Sequence, residues 1–234
     1  MKPYPIFLVG LENRHCIVVG GTHEAEFKVK GLLDCDANVT VISAEITEQM
    51  LAWANDGRFY WIERDYQPGD LRGAHLVIAE RTNSTTNQQI WEEAEAEKAL
   101  VTVLDSIPHC NAVAGSVIRQ GPLAITISTS GAAPALAVRL RQRFEREFGD
   151  EYAVFLHWMK LLRPAMKQRF PTFMERKAVW YEVIDSEVLP LIQTGQEAAA
   201  RELLFDLTGL DPFDYVNHDS QTQPVRQAAL PAAY

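Results

Sequence analysis

In the first half of the chain, short apolar runs alternate with segments whose apolar positions fall three and four residues apart. "HCIVVG", "NVTVIS", "RFYWIER", "HLVIAE" and "LVTVLD" read as five strands. Four of them are near-continuous apolar runs of the kind that parallel sheets bury on both faces. Between them, "EAEFKVKGLL" places Ala25, Val29 and Leu32 or Leu33 on one helical side. "TEQMLAWANDG" reads as a helix with Thr47 as N-cap and Gly57 as its stop, and "TTNQQIWEEAEAEKA" as another helix. Strands alternating with helices of this length predict an α/β fold: a Rossmann-type parallel sheet with right-handed crossovers.

The pattern changes after Asp105. Val113–Arg119 and Leu123–Ser128 read as two strands joined at Gln120-Gly121-Pro122. "PALAVRLRQRFEREF" is an amphipathic helix with Pro134 at its first position and Leu136, Leu140 and Phe144 in one stripe. From Glu151 to about Leu210 every segment has helical spacing, and from Asp211 onward no usable period remains, so that tail is expected to be mobile.

Composition narrows the class. Hydrophobic residues make up 47% and charged residues 23% of the 234 residues, ordinary for a globular protein. No run of about 18 apolar residues suggests a membrane span, and the opening "MKPYPIFLVGLENRH" is too short in apolar residues for a signal peptide. Three widely spaced cysteines, Cys16, Cys35 and Cys110, argue against a disulfide framework or a zinc cluster and for a cytoplasmic location. A net charge of −9 disfavours nucleic acid as a partner.

Four stretches hold candidate chemistry. In "IVVGGTHEAE" an apolar strand runs through Gly20 and Gly21 into a helix, the layout of a dinucleotide-binding turn. Ala25 is an accepted substitute for the last glycine of that motif, but Thr22 stands where the middle glycine is usual. Thr22 also suits a helix N-cap, and Glu24 and Glu26 oppose a bound pyrophosphate, so the residues alone leave cofactor turn and plain cap both open. Ser43, at the end of the second strand, is the candidate for a ribose hydroxyl, or an ordinary loop serine. Asp105 ends the fifth strand, where open α/β sheets bind ligands. It is a general base if partial burial raises its pKa, or a turn cap before Pro108. Ser128, Thr129, Ser130 and Gly131 precede a helix start whose amides suit carboxylates. Arg139 and Arg143, one turn apart on that helix, suit a polyanion or form a solvated face.

Taken together these stretches resemble the precorrin-2 dehydrogenase / sirohydrochlorin ferrochelatase family, which includes the N-terminal half of sirohaem synthase. The resemblance is carried by "YPIFLVGLENRHCIVVGG", similar to the family's opening strand and nucleotide turn. It continues in "VTVLDSIPHCNAVAGSVIRQGPLAITISTSGAAPALAVRLRQRFE" and ends in "FMERKAVWYEVI", similar to the dimer-forming region. It implies a Rossmann-type NAD-binding domain over 1–112, a strand-and-helix dimerisation region over 113–150, a small all-helical C-terminal domain over 151–210 and a tail over 211–234. It also implies a homodimer that oxidises precorrin-2 to sirohydrochlorin with NAD, and in some members inserts ferrous iron without a dedicated metal site.

Carried over residue by residue, the resemblance places catalysis on Asp105. It places the cofactor on Gly20, Gly21, Thr22, His23, Glu24, Ala25, Ser43, Arg81 and Thr82. The polycarboxylate tetrapyrrole falls to Asn111, Ser116, Arg119, Ser128, Thr129, Ser130, Gly131, Arg139 and Arg143. Two departures touch the NAD site: Thr22 in the turn, and Ala79-Glu80-Arg81-Thr82-Asn83 where the family carries an "ATDD" type segment. The family's regulatory serine falls on Thr129, which leaves phosphorylation there in doubt. Chelation alone with a degenerate NAD site, or non-catalytic binding of a nucleotide or tetrapyrrole, are the competing readings. No stretch resembles a methyltransferase portion, so methylation of uroporphyrinogen is expected from another protein.

Overall fold

The computed structural model describes residues 3–80 and 83–218, which form two compact units. Of the described residues, the first unit comprises 3–80, 83–114 and 130–132, and the second comprises 115–129 and 133–218.

In the first unit, β1 (His15–Val19), β2 (Asn38–Ile42), β3 (Tyr60–Ile62), β4 (Leu76–Ala79) and β5 (Leu100–Val103) form one sheet in the order β3-β2-β1-β4-β5. Every pairing is parallel, with Val19 opposite Ile42 on one side and Ala79 on the other. The near-continuous apolar runs have the expected consequence. Side chains alternate across each strand, so Cys16, Val18, Val39 and Val41 pack on one face with Ala25, Val29 and Met50. Ile17, Val19, Val77, Val101 and Val103 pack on the other with Ile90 and Ala94. Helices α1 (His23–Leu33) and α2 (Glu48–Asn55) therefore cover one face and α3 (Ser84–Ala96) the other. Thr47 caps α2 as expected, accepting from the Met50 amide at 3.2 Å.

After β3 the chain returns to the centre of the sheet and pairs β4 with β1. That reversal sets the carboxyl ends of β1 and β4 side by side, the usual ligand position in such sheets. Gly20, Glu80 and, one strand further out, the Asp105 turn stand along this edge. The opening "YPIFLVG" adds no strand: residues 3–10 have no regular structure, and Tyr4, Ile6, Phe7 and Val9 are exposed.

In the second unit, β6 (Ser116–Gln120) and β7 (Leu123–Ile127) form an antiparallel hairpin. It is followed by α4 (Pro134–Glu147), α5 (Glu151–Arg169), α6 (Phe173–Ile184), α7 (Val188–Gln193) and α8 (Glu197–Thr208). This unit joins across the expected division at residue 150. A side chain on Gly121 would stand 2.9 Å from the Ala153 Cβ, and Gln120 donates to the Phe148 carbonyl at 2.9 Å. Its core is Phe155, Trp158, Leu162, Met166, Val183, Val188, Ile192, Ala200 and Leu204.

The expected mobile tail begins too early. Pro212–His218 forms a 3-10 turn, Phe213 meets the Trp158 ring edge-on at 6.1 Å, and Arg201 lies over Phe213 while pairing with Asp211. An aromatic contact and an ion pair fix this stretch without any helical period. Residues 219–234 lie outside the described residues.

Candidate functional site

The glycine turn is built by what crosses it. Gly20 has φ 130°, and a side chain there would run into Glu80, whose Cγ stands 2.6 Å from the Cβ position. At Gly21 a Cβ would stand 1.8 Å from the Glu45 carbonyl oxygen. Thr22 is the N-cap of α1 and accepts from the Glu24 amide at 3.2 Å. Ala25 is fully buried and lets the helix settle on the sheet.

The carboxylate of Glu80 closes this turn. It accepts from the Ala25 amide at 3.0 Å and from the Thr22 hydroxyl, while the Glu80 amide donates to the Val19 carbonyl at 2.8 Å. A helix N-terminus stabilises an anion through its free amides and dipole, and here the chain supplies that anion itself. The hydroxyl of Thr22, which stands where the middle glycine of the motif is usual, donates to Glu80. The change in chemistry after strand four was visible in the sequence; the reach of Glu80 back to α1 was not. Arg81 and Thr82 lie outside the described residues.

The remaining cofactor candidates divide: His23 and Glu24 are exposed, whereas Ser43 Oγ lies 2.7 Å from where a Gly21 Cβ would be. His23 is 92% exposed, 3.4 Å from the Glu26 carboxylate, and Glu24 is exposed in the first turn. Ser43 donates to the Glu45 carbonyl at 2.6 Å, so its hydroxyl proton is spent within its own loop.

Asp105 lies just past β5 in a left-handed conformation, φ 55°. The general-base reading from the residues alone was conditional on partial burial, and the residue is exposed. Among the described residues its side chain makes no hydrogen bond or ion pair, and the following 3-10 turn (Ile107–His109) has no side-chain cap. The turn-cap reading therefore has no support. His109 is held between Ser106, at 2.7 Å, and Gln88, at 3.1 Å. Burial raises the Cys110 thiol, which donates to the Val103 and Ser106 carbonyls. Burial likewise pushes the Cys16 thiol up to about 11, with Cys35 adding to the effect. Neither thiol is a ready nucleophile. Among the described residues no cluster of three His, Cys, Asp or Glu could hold a metal ion.

The Asn111 side chain is engaged within the fold. Its amide laces β5, accepting from the Val101 amide at 2.7 Å and donating to Glu95 and to the Ala99 carbonyl. Ser130 and Gly131 have φ 54° and 79°, and a Gly131 Cβ would stand 3.8 Å from Ile107 Cδ1. Their loop thus runs beside the Asp105 turn.

The other substrate candidates belong to the second unit. Arg119 and Val117 are exposed on either side of buried Ile118, so they face outward from the hairpin. Ser116 faces Ile127 across the hairpin, and Ser128 is exposed just past β7. Thr129 accepts from the Ala133 amide at 3.2 Å, a loop staple. The α4 amides expected to bind anions are partly spent, because those of Leu136 and Ala137 turn back to the Ala133 carbonyl. Arg139 and Arg143 are exposed one turn apart; Arg139 touches Gln142 at 3.3 Å, and among the described residues Arg143 has no partner. Arg141, on another side, pairs with Glu145.

Comparison with known proteins accords with this layout. Residues 7–116 match a family model described as NAD(P)-binding, residues 120–147 the sirohaem biosynthesis protein central region, and residues 151–207 the sirohaem synthase dimerisation region. The siroheme synthase of Methylobacillus flagellatus is 34% identical over 87% of this chain and 44% of its own length. That of Pseudoalteromonas translucida is 32% identical over 87% and 43%. The chain thus spans less than half the length of these relatives. Among solved structures, SirC, a precorrin-2 dehydrogenase, superposes with a TM-score of 0.67 over 87% of this chain and all of its own, at 20% identity. The first unit is a Rossmann-type, NAD(P)-binding fold. The central and dimerisation regions follow it in order, so the chain is similar along most of its length to sirohaem biosynthesis proteins.

Proposed function

We propose that the protein is an NAD-dependent dehydrogenase that converts precorrin-2 to sirohydrochlorin, with insertion of ferrous iron into that product as a second activity. The carrying observation is Asp105: an exposed, unpartnered carboxylate in a left-handed turn at the carboxyl edge of the sheet. Left-handed backbone on a non-glycine residue costs free energy and clusters at functional sites. A carboxylate with no structural partner there suits proton transfer.

The turn fits a dinucleotide in its backbone. Gly20, Gly21 and the α1 start would hold the pyrophosphate, and Ser43 would meet the ribose as acceptor. Bound NAD supplies a two-electron acceptor for the hydride. Asp105 takes the proton that leaves with it; in chelation the same carboxylate draws pyrrole protons. Arg119, Arg139 and Arg143 offer the cationic contacts that a polycarboxylate needs from an acidic chain. Incubation with precorrin-2 and NAD, following NADH and sirohydrochlorin together, tests this reading. Formation of neither overturns it.

A second reading, chelation alone, is favoured by Glu80 in the phosphate turn. Titration with NADH separates the two. Thr22→Gly removes one donor to Glu80, while glycine at an N-cap costs only a few tenths of a kcal/mol. The expected result is NADH binding tightened roughly two- to tenfold, the worth of one hydrogen bond. Weaker binding would make Thr22 a phosphate ligand, and no binding by either protein at millimolar NADH leaves chelation.

The assembly is a homodimer. Supporting this, α6 leaves Phe173, Met174, Tyr181 and Ile184 exposed, and Leu136 of α4 is 52% exposed. Apolar surface of this kind marks association sites, and α6 lies within the segment matching the dimerisation region. Light scattering should give about twice the 26.3 kDa chain mass; a stable monomer at micromolar concentration would contradict it. No helix among the described residues is long and apolar enough to cross a membrane. Cys16, Cys35 and Cys110 form no disulfide, in keeping with a cytoplasmic protein.

A further inference from the structure

Two anions have a claim on one position. The space that Gly20 leaves by lacking a side chain is filled by the Glu80 side chain, with Cγ 2.6 Å and Oε2 2.4 Å from where a Cβ would be. In dinucleotide-binding turns that freedom lets the phosphate approach the backbone. A donor is shared as well: Glu80 takes the Ala25 amide at the head of α1, and the Thr22 hydroxyl holds the carboxylate there.

We propose that Glu80 is a built-in competitor for the pyrophosphate, a carboxylate that closes the turn in the free protein and swings out when the dinucleotide enters. The proposal rests on the cofactor reading above. The movement it needs is small. The Glu80 backbone is pinned to β1 through its amide and the Val19 carbonyl, while the side chain is only half-buried. Side-chain torsions alone release it, and β4 stays in the sheet. The exchange keeps the helix start satisfied, because the Ala25 amide that Glu80 gives up is one a phosphate oxygen can accept from, while the Thr22 hydroxyl, exposed at the turn, is left to solvent. The charges do not coexist: a carboxylate left in place would face the pyrophosphate across a single turn of backbone, where like charges repel. Affinity for the dinucleotide is therefore a difference between two anions at one helix terminus. The free protein keeps its helix start satisfied at the expense of cofactor affinity.

Titration of NADH into the wild type, Glu80→Gln and Glu80→Asp, with thermal melts of each, tests this. Glutamine keeps the length and an oxygen that accepts from the Ala25 amide, but not the charge. Its NADH Kd is expected to fall about tenfold, equivalent to about 1.4 kcal/mol. Its ligand-free melting temperature is expected to fall, and the rise on adding NADH to grow. ADP, which carries a pyrophosphate, should tighten likewise, whereas adenosine should not; general damage to the turn would move both. Aspartate is one methylene shorter and loses its reach to α1, so it should change NADH binding in the same direction by a smaller factor. It carries the test if the glutamine variant does not fold. Unchanged or weaker NADH binding in the variants, beside measurable binding by the wild type, overturns the competitor role and leaves the cofactor reading standing. Binding by the variants alone supports the competitor role most strongly. Binding by none of the three overturns both.

Discussion

Asp105→Asn is expected to lose dehydrogenase turnover by roughly 10²–10⁴-fold, the usual worth of a general base, with an unchanged melting temperature. Two features separate chemistry from stability here. Asparagine tolerates the left-handed conformation nearly as well as aspartate, so φ 55° is kept. The Asp105 side chain also has no hydrogen bond or ion pair among the described residues, so neutralising it removes no contact that holds the fold. The loss should fall on kcat more than on NADH binding, because Glu80, Thr22 and Ala25, not Asp105, shape the phosphate turn. NADH release from precorrin-2, measured beside an NADH titration, checks both parts. Near wild-type turnover in the variant would remove Asp105 from proton transfer.

What could be read in the chain, and what could not, divides along the range of the interactions. The five strands, the cap at Thr47 and the buried stripe Ala25–Val29–Leu32 of α1 follow from period and capping chemistry, which act within a few residues. The placement of Asp105 at a strand end was equally local. Its exposure was not, because burial depends on which elements pack nearby. Glu80 reaches an amide 55 positions away only because β4 pairs with β1. That adjacency follows from the crossover after β3, and no local pattern encodes it. Asn111 has the same character: its amide reads as a free polar group in the sequence and is spent on Val101, Glu95 and Ala99 in the fold. The stretch Asp211–His218 has no helical period and is held instead by Phe213 against Trp158 and Arg201 and by the Arg201–Asp211 ion pair. Such contacts are specific to particular side chains and leave no repeat to detect.

Gly21→Ala should be among the most damaging single changes in the first unit, and the reason lies in the backbone that passes over it. The added Cβ would stand 1.8 Å from the Glu45 carbonyl oxygen, well inside any contact distance. That carbonyl cannot move alone. It accepts from the Ser43 hydroxyl at 2.6 Å, the Ser43 carbonyl accepts from the Trp61 indole at 2.9 Å, and the Ser43 amide is tied to Ile62 at 3.2 Å. Relief therefore means shifting the loop after β2 or the first turn of α1. Overpacking a side chain typically costs about 1–3 kcal/mol; with backbone on the receiving side, a loss of about 3 kcal/mol or more is expected. For a chain of this size that is a fall of roughly 6–12 °C in melting temperature. NADH binding should fail with it, because the shift is centred on the turn. Gly31→Ala is the control. Gly31 lies within α1 with nothing within 4 Å of its Cβ position, so alanine there should add about 0.5–1 kcal/mol by helix preference alone. Thermal melts of the two variants beside the wild type decide the matter. If Gly21→Ala melts like the wild type and binds NADH, the loop after β2 yields freely, and Gly21 is not the position that sets the spacing of this turn.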